Sequence, residues 1–222
     1  METKRKSLGK RKNLKEELRR TQIKEAAINL FSSKGYNQAT MDDIVIEAGI
    51  SKSLIYWYWK SKSALLKELI DTCMQPYVDF LQELVDSKDP VLKKMNRLFW
   101  EFADLFRTNE RLGKLVHFCS LHYSSKTEEN FSDQVKDYYK KILDLLEKLI
   151  DQGIEDGIFK KDIDSPAMAL FALSAIEGYV YMSILEDRMP LERVLISLCM
   201  KYVVPGIIVD SGDDKILLNN NK

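Results

Sequence analysis

Residues 41–59 read MDDIVIEAGISKSLIYWYW, and this stretch decides the fold. Thr40 stands where a helix N-cap belongs, Asp42 and Asp43 fall in the first turn, and Met41, Ile44, Val45 and Ala48 recur on one helical face. Gly49 stops that helix after two turns, because it alone adopts the left-handed backbone of a sharp turn without cost. Ile50 plugs the turn, Ser51 stands as N-cap, and a second short helix runs from Lys52 to Trp59. Two short helices around a glycine-containing turn form a helix-turn-helix, whose second helix projects into a DNA major groove. Four consecutive aromatics, Tyr56 to Trp59, cannot all point inward on a helix. Ile55 and Trp59 are expected inside, with Lys52, Ser53, Tyr56 and Trp57 facing out. Lysine and serine donate to phosphates and base edges, and aromatics rest on sugars or a thymine methyl.

Upstream, Ile23, Ala26, Ala27, Leu30 and Phe31 form one stripe, predicting a helix over 15–33 that ends at Gly35. The first 24 residues hold ten lysines and arginines against three acids, a charge of +7 in a chain whose formal net charge is zero. Residues 1–14 are expected to form a flexible basic arm, placed to enter a neighbouring minor groove.

The segment from Arg20 to Leu66 resembles the N-terminal domain of the TetR family of bacterial repressors. The resemblance rests on Ala26-Ala27, Leu30-Phe31, Gly35-Tyr36, Thr40, Ile44, Ala48-Gly49-Ile50-Ser51, Ile55-Tyr56, Tyr58, Ser61-Lys62 and Leu65-Leu66. It implies phosphate contacts at Thr40, Tyr56, Tyr58 and Lys62. It implies base or flanking-backbone contacts at Lys52, Ser53, Leu54 and Trp57, with Ser51 beside them. Ser53, Val45 and Trp59 stand where the family often has Gly, Ala and Phe; the first bears on operator preference, and the others read as packing variants.

The composition, 45% hydrophobic and 31% charged with nine glycines and five prolines, predicts a globular all-α chain. Cys73, Cys119 and Cys199 are too dispersed for a zinc knuckle or disulfide framework, which fits a reducing cytoplasm. No uninterrupted apolar run is long enough to span a membrane, Glu177 cutting the longest candidate.

After the helix-turn-helix domain (15–61), a ligand-binding and dimerisation domain is expected over 62–204, then a loose tail from 205 to 222. A helix over 62–86 carries Pro76, a kink that either shapes packing or bears on signalling. Further helices are predicted over 90–107, 110–123, 129–153, 166–187 and 190–204. Residues 167–185 are apolar almost throughout and need cover on more than one side, so a homodimer through the last two helices is the simple solution.

Phe99, Trp100, Phe102, Phe106, His117, Phe118 and Tyr138 lie in an aromatic-rich region. It is either plain core or, as the resemblance implies, the wall of a pocket for a small lipophilic inducer. Glu177 either meets a cationic ligand or sits on a wetted edge. Cys119 and His122 lack a third ligand nearby, so no metal and no cofactor is expected. An enzyme reading finds no Gly-rich phosphate loop, no His-Glu-x-x-His and no G-x-S-x-G. The alternatives are an all-helical enzyme without a recognisable catalytic motif and a cytosolic adaptor, the adaptor distinguishable by its lack of site preference on duplex DNA. The expected mechanism is a two-state dimer whose operator-matching form is disfavoured by inducer.

Overall fold

A computed structural model describes residues 2–108, 110–122, 131–185, 197 and 199–209. Its helices are α1 (Glu2–Lys34), α2 (Met41–Glu47), α3 (Lys52–Tyr58), α4 (Lys62–Asp86), α5 (Val91–Thr108), α6 (Glu110–His122), α7 (Phe131–Glu155), α8 (Ser165–Leu185) and α9 (Val204–Ile207). Among the described residues the only β pairing is a single antiparallel bridge between Phe159 and Ile208. The all-α expectation holds.

The chain divides into two compact units. The first joins residues 1–73 to 109–135, so the start of α4, all of α6 and the first turn of α7 group with the helix-turn-helix. Its core is the predicted stripe: Ile23, Ala26, Ala27, Leu30 and Phe31 are buried with Ile44, Ala48, Ile55 and Trp59, and with Leu65, Leu66, Leu69 and Ile70 of α4. Leu112, Leu115 and Val116 of α6 and Phe131 of α7 are also buried. Tyr36, just after α1, stacks edge-on against both Phe31 and Phe131, each at 5.3 Å between centroids.

The second unit joins residues 74–108 to 136–222. Phe80, Leu81 and Leu84 of α4, Ile142, Leu145, Leu146, Leu149 and Ile150 of α7, and Ala169 and Leu173 of α8 are buried there. Lys94 is buried too, its ammonium donating to the Val85 carbonyl (3.2 Å) and to Gln152 Oε1 (2.9 Å). Nothing in the local pattern marks this lysine as interior, since Leu92 and Met95 beside it follow the ordinary amphipathic rhythm.

Three boundaries differ from expectation. The segment expected to form a flexible arm is helical from Glu2, continuous with α1. Residues 2–14 contain no proline, and Gly9, with Thr3, Ser7 and Asn13 as weaker helix formers, is set among good ones, Lys, Arg, Leu and Glu. Towards the end of the helix expected over 190–204, Cys199–Val203 form a π-helical turn that leads into α9; residues 186–196 and 198 lie outside the described set. The tail expected to be loose from Pro205 is held as far as Val209. Lys160 N–H donates to Ile207 O (2.9 Å), Val209 N–H to Ile158 O (2.8 Å), and Val204 and Ile207 are buried. Pro76 lies inside α4, where it removes the N–H that would bond the carbonyl four residues back.

Candidate nucleic-acid interface

α3 has only seven residues, too few to persist alone, so its position comes from what holds its ends. Gly49, at φ +60°, makes the turn, and Gln22 of α1 donates to the carbonyl of Ala48 (2.6 Å) where that turn begins. Gly35 likewise has φ +80° at the end of α1. Ile55 is fully buried and Trp59 is 3% exposed, whereas Trp57 is 62% exposed; Tyr56 and Tyr58 are half-buried. Trp57 stacks edge-on against Tyr58 at 4.6 Å, which stiffens an aromatic pair on the outer face. Lys52 and Ser53 are exposed and Leu54 is half-buried, as the helical rotation requires.

At the far end of α3 the structure shows more than apolar packing. The Trp59 indole N–H donates to Glu68 Oε2 (2.6 Å). The same carboxylate takes both its oxygens to Arg20 Nη2 (2.7 and 2.6 Å) and pairs with Lys24 (2.7 Å). The Arg20 guanidinium also lies over the Trp59 and Tyr58 rings, 4.9 and 5.4 Å from their centroids. One acidic residue of α4 thereby ties α1 to the end of the recognition helix. Burial pushes the Glu68 carboxyl up, but the hydrogen bonds from Lys24, Arg20 and Trp59 outweigh it and hold the group below the ordinary glutamate range. Trp59 is therefore not a packing variant: phenylalanine has no N–H to offer Glu68. The only signal for this in the sequence is an acid nine residues after a tryptophan, too weak to stand alone.

Thr40 caps α2 in a complete capping box. Its hydroxyl oxygen accepts from Asp43 N–H (3.1 Å), and Asp43 Oδ2 accepts from both the Thr40 N–H (2.9 Å) and the Thr40 hydroxyl (2.8 Å). The Thr40 side-chain and backbone hydrogen bonds, with help from Lys34, hold the Asp43 carboxyl down at about 2. The Thr40 proton is thus already committed, and donating it to a phosphate requires breaking its bond to Asp43. Ser51 occupies the N-cap position of α3 but makes no side-chain cap bond; its hydroxyl lies 3.1 Å from that of Ser53. The expected Ser51 cap bond is absent.

Lys62 is turned inward. Its ammonium donates to the carbonyls of Tyr36 (2.7 Å) and Ala39 (2.9 Å) and sits 4.2 Å from the Tyr36 ring centroid. Ser61 caps α4 through the Ala64 N–H (3.1 Å), as expected. Lys52 pairs with Asp42 across the turn (2.9 Å), a hydrogen bond that raises its ionisation above the ordinary lysine value. Asp42 thus places an acid on the face that carries Lys52.

Of the residues expected to line a ligand site, Phe99 is half-buried, Trp100 is 49% exposed, and Tyr138 is buried with its hydroxyl donating to Gln75 Oε1 (3.2 Å). Glu177 and His117 are half-buried, and His117 belongs to the first unit while the others named belong to the second. The side chains of Phe102, Phe106 and Phe118 lie outside the described set, as do those of Cys119 and His122.

Residues 23–69 match the family model described as bacterial regulatory proteins, tetR family. The chain is 21% identical to the fatty acid metabolism regulator protein of Bacillus subtilis over 186 residues, covering 84% of this chain and 94% of that one. It is 26% identical over 150 residues to the HTH-type transcriptional repressor KstR2 of Mycobacterium tuberculosis, covering 66% and 72% respectively. Among solved structures it is similar to SmeT in complex with triclosan, with a TM-score of 0.73, 18% identity and coverage of 87% and 93%. SmeT is the repressor of a multidrug efflux pump of Stenotrophomonas maltophilia. The MbdR regulator of Azoarcus sp. CIB gives a TM-score of 0.70 at 25% identity, covering 80% and 95%. The helix-turn-helix geometry and the match across it agree: residues 23–69 form a DNA-binding domain of the TetR type, and beyond it the chain is similar to TetR-family regulators along most of its length.

Proposed function

We propose that this regulator is a repressor that binds a palindromic operator as a homodimer and leaves it when a small lipophilic inducer binds. The observation that carries the DNA reading is α3 itself, a short helix with Lys52, Ser53 and Trp57 exposed while Ile55 and Trp59 anchor its back. In this reading Lys52, Ser53, Leu54 and Trp57 meet base edges or flanking backbone, and Tyr56, Tyr58, Ser51 and Thr40 meet phosphates. Lys62 contributes by holding the turn between α1 and α2, and reaches a phosphate only by releasing its carbonyls.

Support for the dimer comes from α8. Ala167, Leu170, Phe171, Ser174, Gly178, Tyr181 and Met182 are exposed and recur at helical spacing, so α8 carries an outward stripe of large apolar and small residues opposite buried Ala169 and Leu173. Such a stripe fits a second copy of itself in a four-helix bundle formed with the chain that follows α8. Two recognition helices then meet successive major grooves about 34–36 Å apart. Support for a lipophilic inducer comes from the aromatic residues Phe99, Trp100 and Tyr138 and from relatives described as a fatty acid regulator and as a triclosan complex. Glu177, half-buried in the same unit, is the further described member of the proposed ligand set. Full inversion of operator occupancy needs about 5.5 kcal/mol of inducer preference for the released state.

Selecting bound fragments from the source genome and testing them by gel shift is the deciding experiment. A palindromic site retained over competitor DNA supports the reading, and binding with no site preference overturns it in favour of an adaptor. A thermal-shift screen of acyl and aromatic compounds then identifies inducers as those that both stabilise the protein and release the selected site.

A further inference from the structure

α3 contains no acidic residue, whereas α2 carries Asp42, Asp43 and Glu47. These three acids are not equivalent. Asp43 is spent on the Thr40 cap and on Lys34 (3.2 Å). Glu47, exposed at the last position of α2, lies about 140° round the helix from Asp42. Asp42 reaches across the turn to the first residue of α3, where both its oxygens meet the Lys52 ammonium, Oδ1 at 2.9 Å and Oδ2 at 3.0 Å.

The Asp42 and Lys52 side chains are 60% and 63% exposed, so water screens their attraction and the pair adds little to the stability of the fold. The first turn of α2 is already capped through Asp43. Backbone binding gains little from Lys52 either, since moving its charge onto a phosphate leaves an unpaired carboxylate beside a polyanion. Kept together, the two groups present a donor next to an acceptor. An ammonium has three N–H groups and a carboxylate about four lone-pair sites, so each retains capacity after the pair has formed. In the major groove a G·C pair offers two acceptors, guanine N7 and O6, beside one donor, cytosine N4–H. An A·T pair sets its donor between two acceptors, so a carboxylate brought to it also meets adenine N7 or thymine O4.

We propose that Lys52 and Asp42 act as one composite reader of a G·C base pair in each operator half-site, the ammonium donating to guanine and the carboxylate accepting from cytosine. This rests on the operator-binding reading above. It adds Asp42, on the first helix of the motif, to the residues that set sequence choice.

The operator recovered by selection is to be altered one base pair at a time, and binding of the full-length protein to each duplex measured by fluorescence anisotropy. The wild type is expected to lose about tenfold in affinity when one particular G·C pair becomes A·T. Asp42→Ala and Lys52→Met should each lose that preference, and at the same pair. N4-methylcytosine there, whose methyl replaces the groove-side N–H, should weaken the wild type but not Asp42→Ala. The double variant Asp42→Ala with Lys52→Met removes the pair at no change in net charge. It should keep the melting temperature, the affinity for unrelated duplex DNA and the salt slope of the wild type, and lose only the G·C preference. Lys52→Arg, which keeps donors for guanine, should retain the preference, and Glu47→Gln should leave the whole profile unchanged. A double variant with the wild-type base profile overturns the proposal. So does a uniform loss of affinity with a shallower salt slope, which makes Lys52 a phosphate contact. Losses at different pairs in the two single variants make the readers independent, and equal responses to N4-methylcytosine confine Asp42 to orienting Lys52; either result overturns the composite reader while the operator reading stands. A wild type with no preference for the operator over scrambled DNA takes both readings down together.

Discussion

Replacing Glu68 should loosen the recognition helix and lower the stability of the fold together. Arg20 and Lys24 are 35% and 22% exposed, so each ion pair is partly screened and contributes about 1 kcal/mol, less than a buried charged hydrogen bond. Glu68→Gln keeps an acceptor for the Trp59 indole and should cost about 1–2 kcal/mol. Glu68→Ala also strands that buried N–H, adding about 1–3 kcal/mol. In urea, with a slope of about 2 kcal/mol/M, the glutamine variant should melt about 0.5–1 M earlier. Trp59→Phe should cost about 1 kcal/mol, and its double-mutant cycle with Glu68→Ala, which removes the acceptor altogether, should show coupling of similar size. The folded-state ionisation of Glu68 is depressed, so its stabilisation is complete above the ordinary glutamate range and is lost as pH falls through the lower folded value. The acid limb of stability should therefore flatten in Glu68→Gln. Operator affinity should fall in the same variants, because the C-terminal end of α3 loses its directional anchor. Unchanged urea midpoints at pH 7, an unaltered acid limb and zero coupling to Trp59 would refute this account.

Four further outcomes are expected. Thr40→Ala should cost about 1 kcal/mol through the lost cap, whereas Thr40→Ser should restore stability; if serine restores the fold but not operator affinity, the hydroxyl is not what meets phosphate. Lys62→Met should lower the melting temperature without DNA present, because the carbonyls of Tyr36 and Ala39 lose their donor; an unchanged melt with a shallower salt slope would instead make Lys62 a phosphate contact. Gly153→Ala drives a methyl group into the fully buried ring of Phe159 and should cost about 1–3 kcal/mol by thermal denaturation. Phe171→Glu, a charge on the exposed stripe of α8, should shift sedimentation at micromolar concentration from dimer to monomer while leaving helical content unchanged.

The helix-turn-helix is legible in the sequence because its determinants are local. The stripe in α1, the glycines at 35 and 49, and the Thr40 capping box each act within a few residues, so spacing alone reveals them. Burial of Ile55 and Trp59 and exposure of Trp57 follow from the rotation of one short helix. What the sequence hides is long-range. Glu68 gathers partners 48, 44 and 9 residues away, Lys62 reaches back to carbonyls at 36 and 39, and Phe131 stacks on Tyr36. None of these has a periodic signature, because each depends on where helices cross. The N-terminal segment misleads for a related reason: a charge block suggests solvation, yet Lys, Arg and Leu are also good helix formers, and an existing helix extends more readily than a new one nucleates.

The two anchors of α3 differ in kind, and the difference bears on how the helix is aimed. Ile55 makes apolar contacts, which resist withdrawal of the helix but tolerate rotation about its axis, since dispersion and burial are nearly non-directional. The Trp59–Glu68 bond is directional and lies at the end of α3, where a small rotation moves the indole N–H most. Glu68 is in turn oriented by Arg20 and Lys24, both on α1. Rotation of the recognition helix is thus referred to α1, so on the proposed reading the bases that Ser53 and Trp57 would meet depend on a carboxylate outside the proposed interface. Trp59→Phe should therefore alter sequence preference as well as affinity. Selection of binding sites by the variant should return operators degenerate at the positions that Trp57 meets, while an unchanged consensus would mean that apolar packing alone sets the rotation.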